Sequence, residues 1–112
     1  NCPLTKETKG LMSENRLKLM MPESFIINSS RSEIIDEKSL AILLKENKIA
    51  GAGLDVFSIS RGNNVDLFDA PNTVLIPHMG SATIEGRIEM GEKVIVNIKT
   101  YIDGHNPPNR II

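Results

Sequence analysis

This sequence of 112 residues has little cysteine, little aromatic content and no excess of charge of one sign. There is one cysteine and no tryptophan, aromatic residues make up 4%, and the formal net charge is −1. A single cysteine cannot form an internal disulfide, which favours a reducing compartment, the cytoplasm. The even charge balance gives no sign of a nucleic-acid partner or an anionic membrane surface.

Further absences exclude whole classes of protein and site. No apolar run approaches the length of a transmembrane helix, and no basic region followed by an apolar one predicts a signal peptide. Cysteine and histidine do not cluster at metal-ligand spacing, so we predict no metal site. The sequence opens at Asn1 rather than at a methionine, as if it had been cut from a longer chain.

Strands and helices are predicted to alternate along the chain. Apolar runs between turn residues indicate strands over residues 25–28, 50–56 and 73–76. Capping residues and apolar spacing indicate helices over residues 13–20, 36–47 and 81–102. The last helix carries an apolar stripe that we expect to be core or interface, formed by Ile84, Ile88, Ile95, Ile98 and Ile102. This alternation predicts an α/β fold with a mostly parallel sheet.

Three polar side chains are predicted to meet at one edge of that sheet. Arg31 follows the first strand, Asp55 ends the second and His78 follows the third. The carboxyl ends of parallel strands share an edge, and open α/β sheets bind their ligands there. A guanidinium binds a carboxylate through two hydrogen bonds, and an imidazolium can give a proton to a carbonyl oxygen that gains charge. Together the three residues suit the reduction of a 2-keto acid.

Six short motifs follow one another along the chain. They occupy residues 2–5, 27–31, 36–40, 50–57, 71–72 and 77–83. In order and spacing the set resembles the D-isomer-specific 2-hydroxyacid dehydrogenases, a family that includes glyoxylate/hydroxypyruvate reductases and phosphoglycerate dehydrogenases. Each motif alone is a weak signal, but the ordered set covers essentially the whole chain.

The resemblance implies a fold and a domain assignment. It implies the second half of a Rossmann-like parallel sheet with a long C-terminal helix. Residues 1–112 would then be part of an NAD(P)-binding domain whose N-terminal half and accompanying substrate domain are absent from this sequence. The implied partner is a small 2-keto or 2-hydroxy acid, bound by the intact enzyme.

The resemblance also implies roles for individual residues. Arg31 would bind the substrate carboxylate and polarise the carbonyl group, and His78 would donate and accept the proton. Ser29, Ser30 and Asp55 would contact the cofactor, NAD or NADP, which supplies the hydride. For Asp55 a purely structural role in a turn is an equal alternative.

The sequence departs from the family pattern at positions that matter for catalysis. Ser60 stands where the family has its catalytic glutamate, and Ser32 stands where a glycine follows the arginine. Asp66 and Asp69 are nearby acids, either of which could approach His78 in place of that glutamate. No Gly-x-Gly-x-x-Gly sequence is present, so no glycine-rich loop is predicted to cradle a pyrophosphate.

Two functions are open on this sequence. The first is that of the C-terminal portion of an NAD(P)-dependent 2-hydroxyacid dehydrogenase, inactive when isolated. The second is that of a noncatalytic interaction module that keeps the dehydrogenase scaffold, for which the serines at positions 60 and 32 are the motive. An open sheet edge and exposed apolar surface favour pairing with another chain, of which a homo-oligomer is one form.

Overall fold

The computed structural model describes residues 2–58 and 65–111 of the chain. The chain divides into two compact units, Asn1–His78 and Met79–Ile112. The first unit contains α1 (Glu14–Leu17), β1 (Phe25–Asn28), a 3₁₀ turn (Ser32–Ile34), α2 (Glu37–Lys45), β2 (Gly51–Leu54), α3 (Val65–Phe68) and β3 (Thr73–Leu75). The second unit contains α4 (Ile84–Ile102).

The three strands form one parallel sheet in the order β1-β2-β3. Phe25 lies opposite Gly51, and Leu54 lies opposite both Asn28 and Leu75. All three strands therefore end at the same edge. The predicted α/β class with a parallel sheet is confirmed, and the strand at 25–28 has the predicted bounds.

The core of the first unit lies on one face of this sheet. Side chains alternate along β1, so Ile26 points into the core while Phe25 and Ile27 remain 68% and 71% exposed. The largest fully buried side chains are those of Leu17, Leu40, Leu44 and Leu67. Burying one such leucine stabilises a fold by about 1.5–3 kcal/mol.

The helix α2 forms where its capping residue and its apolar spacing predict it. The Asp36 side chain accepts a hydrogen bond from the Ser39 backbone N–H over 3.1 Å, as an N-cap does. One face of the helix then buries Leu40, Leu43 and Leu44. Glu37 in the first turn has a second role, because its carboxylate accepts a hydrogen bond from the Ser58 backbone N–H over 2.9 Å.

Two helices of the first unit depart from the sequence prediction, one in its length and one because it was not predicted. The helix predicted over 13–20 is a single turn, Glu14–Leu17, after which the chain continues in turns towards Pro22. The structure adds α3, which the sequence did not predict. One turn of helix is too short to show a 3.6-residue apolar period.

Two environments were predicted for the apolar stripe of the last helix, core and interface, and the structure contradicts the first. No residue of α4 is buried, and Ile95 and Ile98 are 60% and 53% exposed. The isoleucine stripe is therefore not core; a role as an interface stays a prediction. Within the described part of its own unit, α4 is flanked by the turn before it and by a short tail after it, in which Asn109 is hydrogen-bonded to Asn97. A lone helix and a tail offer no second layer to cover the stripe.

The start of α4 also differs from its prediction. Thr83, rather than Ser81, is the capping residue, and its hydroxyl accepts a hydrogen bond from the Gly86 backbone N–H over 3.0 Å. Ala82 and the residues before it form a turn instead. None of the helices in the described residues is long and apolar enough to cross a membrane.

Candidate functional site

Arg31, Asp55 and His78 border one cavity at the carboxyl edge of the sheet. The cavity has a volume of about 340 Å³. Its remaining wall is made of Ser32, Val56, Phe57, Ile76 and Pro77. The structure therefore brings together the three polar residues that the strand order predicted to meet. The wall combines one cationic, one acidic and one imidazole side chain with apolar groups, which is typical of ligand sites.

Backbone hydrogen bonds fix the spacing of the three strand ends. The Asp55 N–H donates to the carbonyl oxygen of Asn28 over 2.9 Å, and the His78 N–H donates to the carbonyl oxygen of Asp55 over 3.1 Å. Asp55 is 8% exposed, whereas the side chain of His78 is exposed to solvent. The backbone of His78 is thus hydrogen-bonded to the end of the neighbouring strand, and its side chain borders the cavity.

His78 has an unusual backbone conformation for its residue type. Its φ angle is +53°, in the left-handed region that side chains other than glycine rarely adopt. Such strain persists only where the surrounding structure holds it, and it is frequent at functional sites. Here two carbonyl oxygens hold it, because the His78 N–H also lies 3.0 Å from the Ile76 oxygen.

The loop after β1 presents Arg31 at the surface. The Arg31 Nη1 donates to the Ser30 carbonyl oxygen over 2.7 Å, which occupies one of the N–H donors of the guanidinium group. The side chain is exposed and borders the cavity. The guanidinium group can therefore pair with a carboxylate that enters there.

A second cavity shares Arg31 with the first. It has a volume of about 480 Å³ and is lined by Cys2, Pro3, Leu4, Ser29, Ser30 and Arg31. The Ser30 hydroxyl, which is buried, donates to the carbonyl oxygen of Cys2. Arg31 borders both cavities, so a molecule in one would lie next to a molecule in the other.

The polar groups around these cavities fit one end of a nicotinamide dinucleotide. The Ser29 hydroxyl, backbone carbonyl oxygens and the Asp55 carboxylate are polar groups of the kind to which a carboxamide can bond. Ser29 and Ser30 line the second cavity, and Asp55 lines the first. The sequence contains no Gly-x-Gly-x-x-Gly loop of the kind that binds a pyrophosphate.

Three candidate residues near His78 in the sequence prediction are not part of the site that the structure describes. Ser60 lies outside the described residues, as does the side chain of Asp66. Asp69 is exposed after α3 and is not among the described residues that line the cavity beside His78. In the part of the chain that the structure describes, no group of acidic, histidine or cysteine side chains is arranged to hold a metal ion.

The structure shows one residue of the site that sequence reasoning left without a role. Asn28 is buried at the carboxyl end of β1, and its side chain bonds to the backbone of Ser30 and Arg31. The sequence does contain a signal for this role, because an asparagine side chain at the end of a strand often bonds to the backbone two residues later.

Comparison with known proteins connects this geometry to a family. Residues 1–80 match the family described as D-isomer specific 2-hydroxyacid dehydrogenase, NAD binding domain. The chain is 48% identical to a glyoxylate reductase of Thermococcus litoralis over 97% of this chain and 33% of that protein. It is 47% identical to a glyoxylate reductase of Pyrococcus furiosus over 97% of this chain and 32% of that protein. The chain thus spans about a third of the length of these relatives.

Solved structures share the backbone arrangement. An acyclic imino acid reductase in complex with NADPH and D-Arg aligns with a TM-score of 0.90 and 33% identity, over 100% of this chain and 36% of that one. An NADPH-dependent glyoxylate/hydroxypyruvate reductase of Sinorhizobium meliloti, in complex with NADP and malonate, aligns with a TM-score of 0.79 and 34% identity. That alignment covers 88% of this chain and 31% of the reductase.

Proposed function

This chain belongs to the D-isomer specific 2-hydroxyacid dehydrogenase family, and from that premise we propose that it forms the catalytic portion of an NAD- or NADP-dependent enzyme that interconverts a small 2-keto acid and its 2-hydroxy acid. Glyoxylate is the first substrate to test, because the relatives that match over 97% of the chain are glyoxylate reductases. The observation that carries the proposal is the shared cavity of Arg31, Asp55 and His78.

Arg31 binds the substrate in this proposal. Its exposed guanidinium group faces the cavity and pairs with the carboxylate of the keto acid through two parallel hydrogen bonds. The same cation draws electron density from the adjacent carbonyl group. Since the carboxylate and the carbonyl are on neighbouring carbon atoms, one arginine both orients the substrate and makes its carbonyl carbon more electrophilic.

His78 moves the proton. During reduction the carbonyl oxygen gains negative charge, and the imidazolium of His78 donates a proton to it. In the reverse direction the neutral imidazole accepts the hydroxyl proton. The hydrogen bond from the His78 N–H to the Asp55 oxygen keeps the imidazole on the edge where Arg31 holds the substrate, which reduces the entropy lost on reaching the reactive geometry.

Ser29, Ser30 and Asp55 hold the nicotinamide end of the cofactor. When bound, the dinucleotide supplies the hydride. Arg31 borders both cavities, so a substrate bound to it lies next to the cofactor. In this proposal residues 1–112 are part of an NAD(P)-binding domain, and the pyrophosphate site and the substrate domain belong to sequence beyond these residues. The single cysteine favours the cytoplasm as the location.

A hybrid enzyme tests the proposal. The chain would replace the 109 aligned residues of the Thermococcus litoralis glyoxylate reductase, and the oxidation of NADH and of NADPH would be followed with glyoxylate as substrate. We expect the hybrid to reduce glyoxylate. Arg31→Gln should lower kcat/KM roughly 100-fold, the equivalent of a lost charged hydrogen-bonding pair. His78→Asn should lower kcat by about 10²- to 10⁴-fold.

A matched control separates these effects from damage to the fold. Arg16→Gln makes the same change at an exposed arginine whose Nη1 bonds to the Leu11 carbonyl oxygen, outside both cavities, and should leave kcat/KM unchanged. Equal activity of the hybrid and its Arg31→Gln and His78→Asn variants would contradict the assigned roles. A folded hybrid without any glyoxylate reduction would contradict the proposed substrate.

One observation favours the alternative, a noncatalytic interaction module. The sheet face opposite the core exposes Phe25, Ile27 and Val74, the last at 63%, and exposed apolar faces of this kind mark contacts with other chains. If the hybrid is inactive while the 112-residue chain self-associates in light-scattering measurements, the interaction module is the better description. A monomeric chain in an active hybrid would exclude it.

A further inference from the structure

The side-chain amide of Asn28 is bonded at both of its ends to the loop that carries Arg31. Asn28 is 6% exposed. Its Oδ1 accepts a hydrogen bond from the Ser30 backbone N–H over 3.0 Å, and its Nδ2 donates to the Arg31 carbonyl oxygen over 2.9 Å. One planar group thus sets the distance between two backbone groups on either side of the bond from Ser30 to Arg31.

The backbone of Asn28 extends the same connection to the other strands. Its carbonyl oxygen accepts the hydrogen bond of the Asp55 N–H over 2.9 Å, and Asp55 in turn accepts that of the His78 N–H. Asn28 is therefore the point at which the arginine loop is attached to the strand ends that carry the other two cavity residues.

Arg31 itself has a second backbone attachment, because its carbonyl oxygen also accepts a hydrogen bond from the Ile34 N–H over 3.3 Å. Its side chain is exposed, and its Nη1 bonds to the carbonyl oxygen of Ser30, the residue whose N–H is held by Asn28. The Arg31 carbonyl oxygen and, through Ser30, the guanidinium group are thus both connected to Asn28. Leaving one of the two hydrogen bonds of a buried amide unmade costs free energy. The Asn28 amide therefore favours the loop conformation in which both bonds form.

We propose that Asn28 is a positioning residue for substrate binding, which orients Arg31 towards the carboxylate of the keto acid. This inference rests on the proposed function of the same cavity. Asn28 touches neither cofactor nor substrate in it; it acts through Arg31. Its loss should therefore raise the KM for the keto acid, which Arg31 binds, more than the KM for the cofactor.

The test uses the hybrid enzyme, which contains the full chain. Asn28→Asp keeps an oxygen for the Ser30 N–H and replaces the donor to Arg31 by a second oxygen. Asn28→Ser replaces the amide by a single hydroxyl, which buries no charge and can still accept the Ser30 N–H but cannot bond to both backbone groups through two separate atoms as the amide does. We expect both variants to raise the KM for glyoxylate roughly tenfold, the effect of about one hydrogen bond. The KM for the cofactor should stay unchanged within error.

The matched control is Asn47→Asp. Asn47 is exposed at the end of α2 with a φ of +53°, a conformation that aspartate tolerates, and it borders neither cavity. It should leave both KM values unchanged. A purely structural role for Asn28 would lower the melting temperature and the amount of active enzyme while both KM values stay at their unsubstituted levels, and that result would overturn the inference.

A second measurement does not depend on activity. In the 112-residue chain, NMR relaxation of the Arg31 backbone amide should show increased mobility in Asn28→Ser and none in Asn47→Asp. Unchanged mobility of Arg31 would overturn the positioning role even if the hybrid is active. An inactive unsubstituted hybrid together with the mobility increase would instead contradict the proposed function and leave Asn28 as the residue that orders this loop.

Discussion

The backbone N–H of His78 donates a hydrogen bond to the carbonyl oxygen of Asp55, and this bond joins the end of β3 to the end of β2. It coincides with a φ of +53° at His78. A histidine at this position is therefore held in a conformation that costs about 1–2 kcal/mol relative to an ordinary one. The hydrogen bonds of the His78 N–H at the sheet edge offset that cost, and His78 lines the cavity in this conformation.

Substitutions at position 78 should reveal this strain. His78→Gly should raise the free energy of unfolding of the chain by about 1 kcal/mol, because glycine adopts a positive φ freely. His78→Val should lower it, since a β-branched side chain fits this region worst. Urea denaturation followed by circular dichroism measures both changes. If valine proves as stable as glycine, the backbone at residue 78 is not strained in solution.

The two glycines of β2 should respond differently to the same added methyl group. A Cβ at Gly51 would lie 2.7 Å from the backbone oxygen of Asn72, whereas a Cβ at Gly53 would meet only the Cδ1 of Ile27 at 2.9 Å. The Ile27 side chain is exposed and can rotate away, but the backbone cannot. We expect Gly51→Ala to cost about 1–3 kcal/mol of stability and Gly53→Ala clearly less.

Chemical denaturation of the two variants provides the comparison. Each is the control for the other, because both add a single methyl group to the same strand. A larger loss for Gly53→Ala than for Gly51→Ala would contradict the close approach of β2 and residue 72.

Much of this fold and site could be predicted from the sequence, because strand order decides where strand ends lie. The family resemblance and the parallel α/β fold are confirmed, and an NAD(P) cofactor agrees with the description of the matched family as an NAD binding domain. Arg31, Asp55 and His78 are far apart in the chain, yet alternating strands and helices already place them at one edge. Their chemical roles stay predictions.

What the sequence did not predict depends on contacts between distant segments. The positive φ of His78 accompanies the hydrogen bonds of its N–H to the oxygens of Asp55 and Ile76, and the bond to Asp55 joins segments that are distant in the sequence. The two hydrogen bonds of the Asn28 amide join residues that are close in the sequence. Their importance depends on the burial of Asn28, which the sequence does not show. Ser81 and Thr83 are both of a residue type that caps helices, so the sequence alone does not fix the start of α4; the hydrogen bond from the Gly86 N–H shows that Thr83 is the cap.

The exposed stripe of α4 leads to a prediction about the core. Ile95 is 60% exposed and Leu44 is 1% exposed. Ile95→Asp should therefore change the stability of the 112-residue chain by less than about 1 kcal/mol, chiefly through helix propensity. Leu44→Ala should cost about 2–5 kcal/mol through the cavity it leaves. Thermal unfolding measures both; a comparable loss for the two variants would show that α4 is packed in solution.

The pKa of Glu33 provides a test of the loop beside the cavity. It is lowered mainly by a hydrogen bond from the residue's own backbone N–H and next by the Ser32 hydroxyl, which donates to Oε2 over 3.0 Å. A lowered pKa favours the folded state above the ordinary carboxyl range, and this contribution is lost as the pH falls. Ser32→Gly should therefore raise the pKa of Glu33 part of the way towards its ordinary value.

NMR titration of the glutamate carboxyl groups measures that shift. Glu7 is the internal control, because its pKa is lowered mainly by the hydroxyl of Thr5 and should not move in Ser32→Gly. If the pKa of Glu33 stays the same while Glu7 behaves as expected, the Ser32 hydroxyl does not bond to Glu33 in solution.

The 112-residue chain should bind NADH weakly by itself. Ser29, Ser30 and Asp55 line cavities that fit the nicotinamide end, but no glycine-rich loop is present for the pyrophosphate, whose charge such loops and their helix N-termini stabilise. We therefore expect a Kd above about 100 μM and no turnover of glyoxylate. Titration of NADH fluorescence measures the affinity, with the hybrid enzyme as the positive control. A Kd in the low micromolar range for the chain would mean that its own residues hold the phosphates.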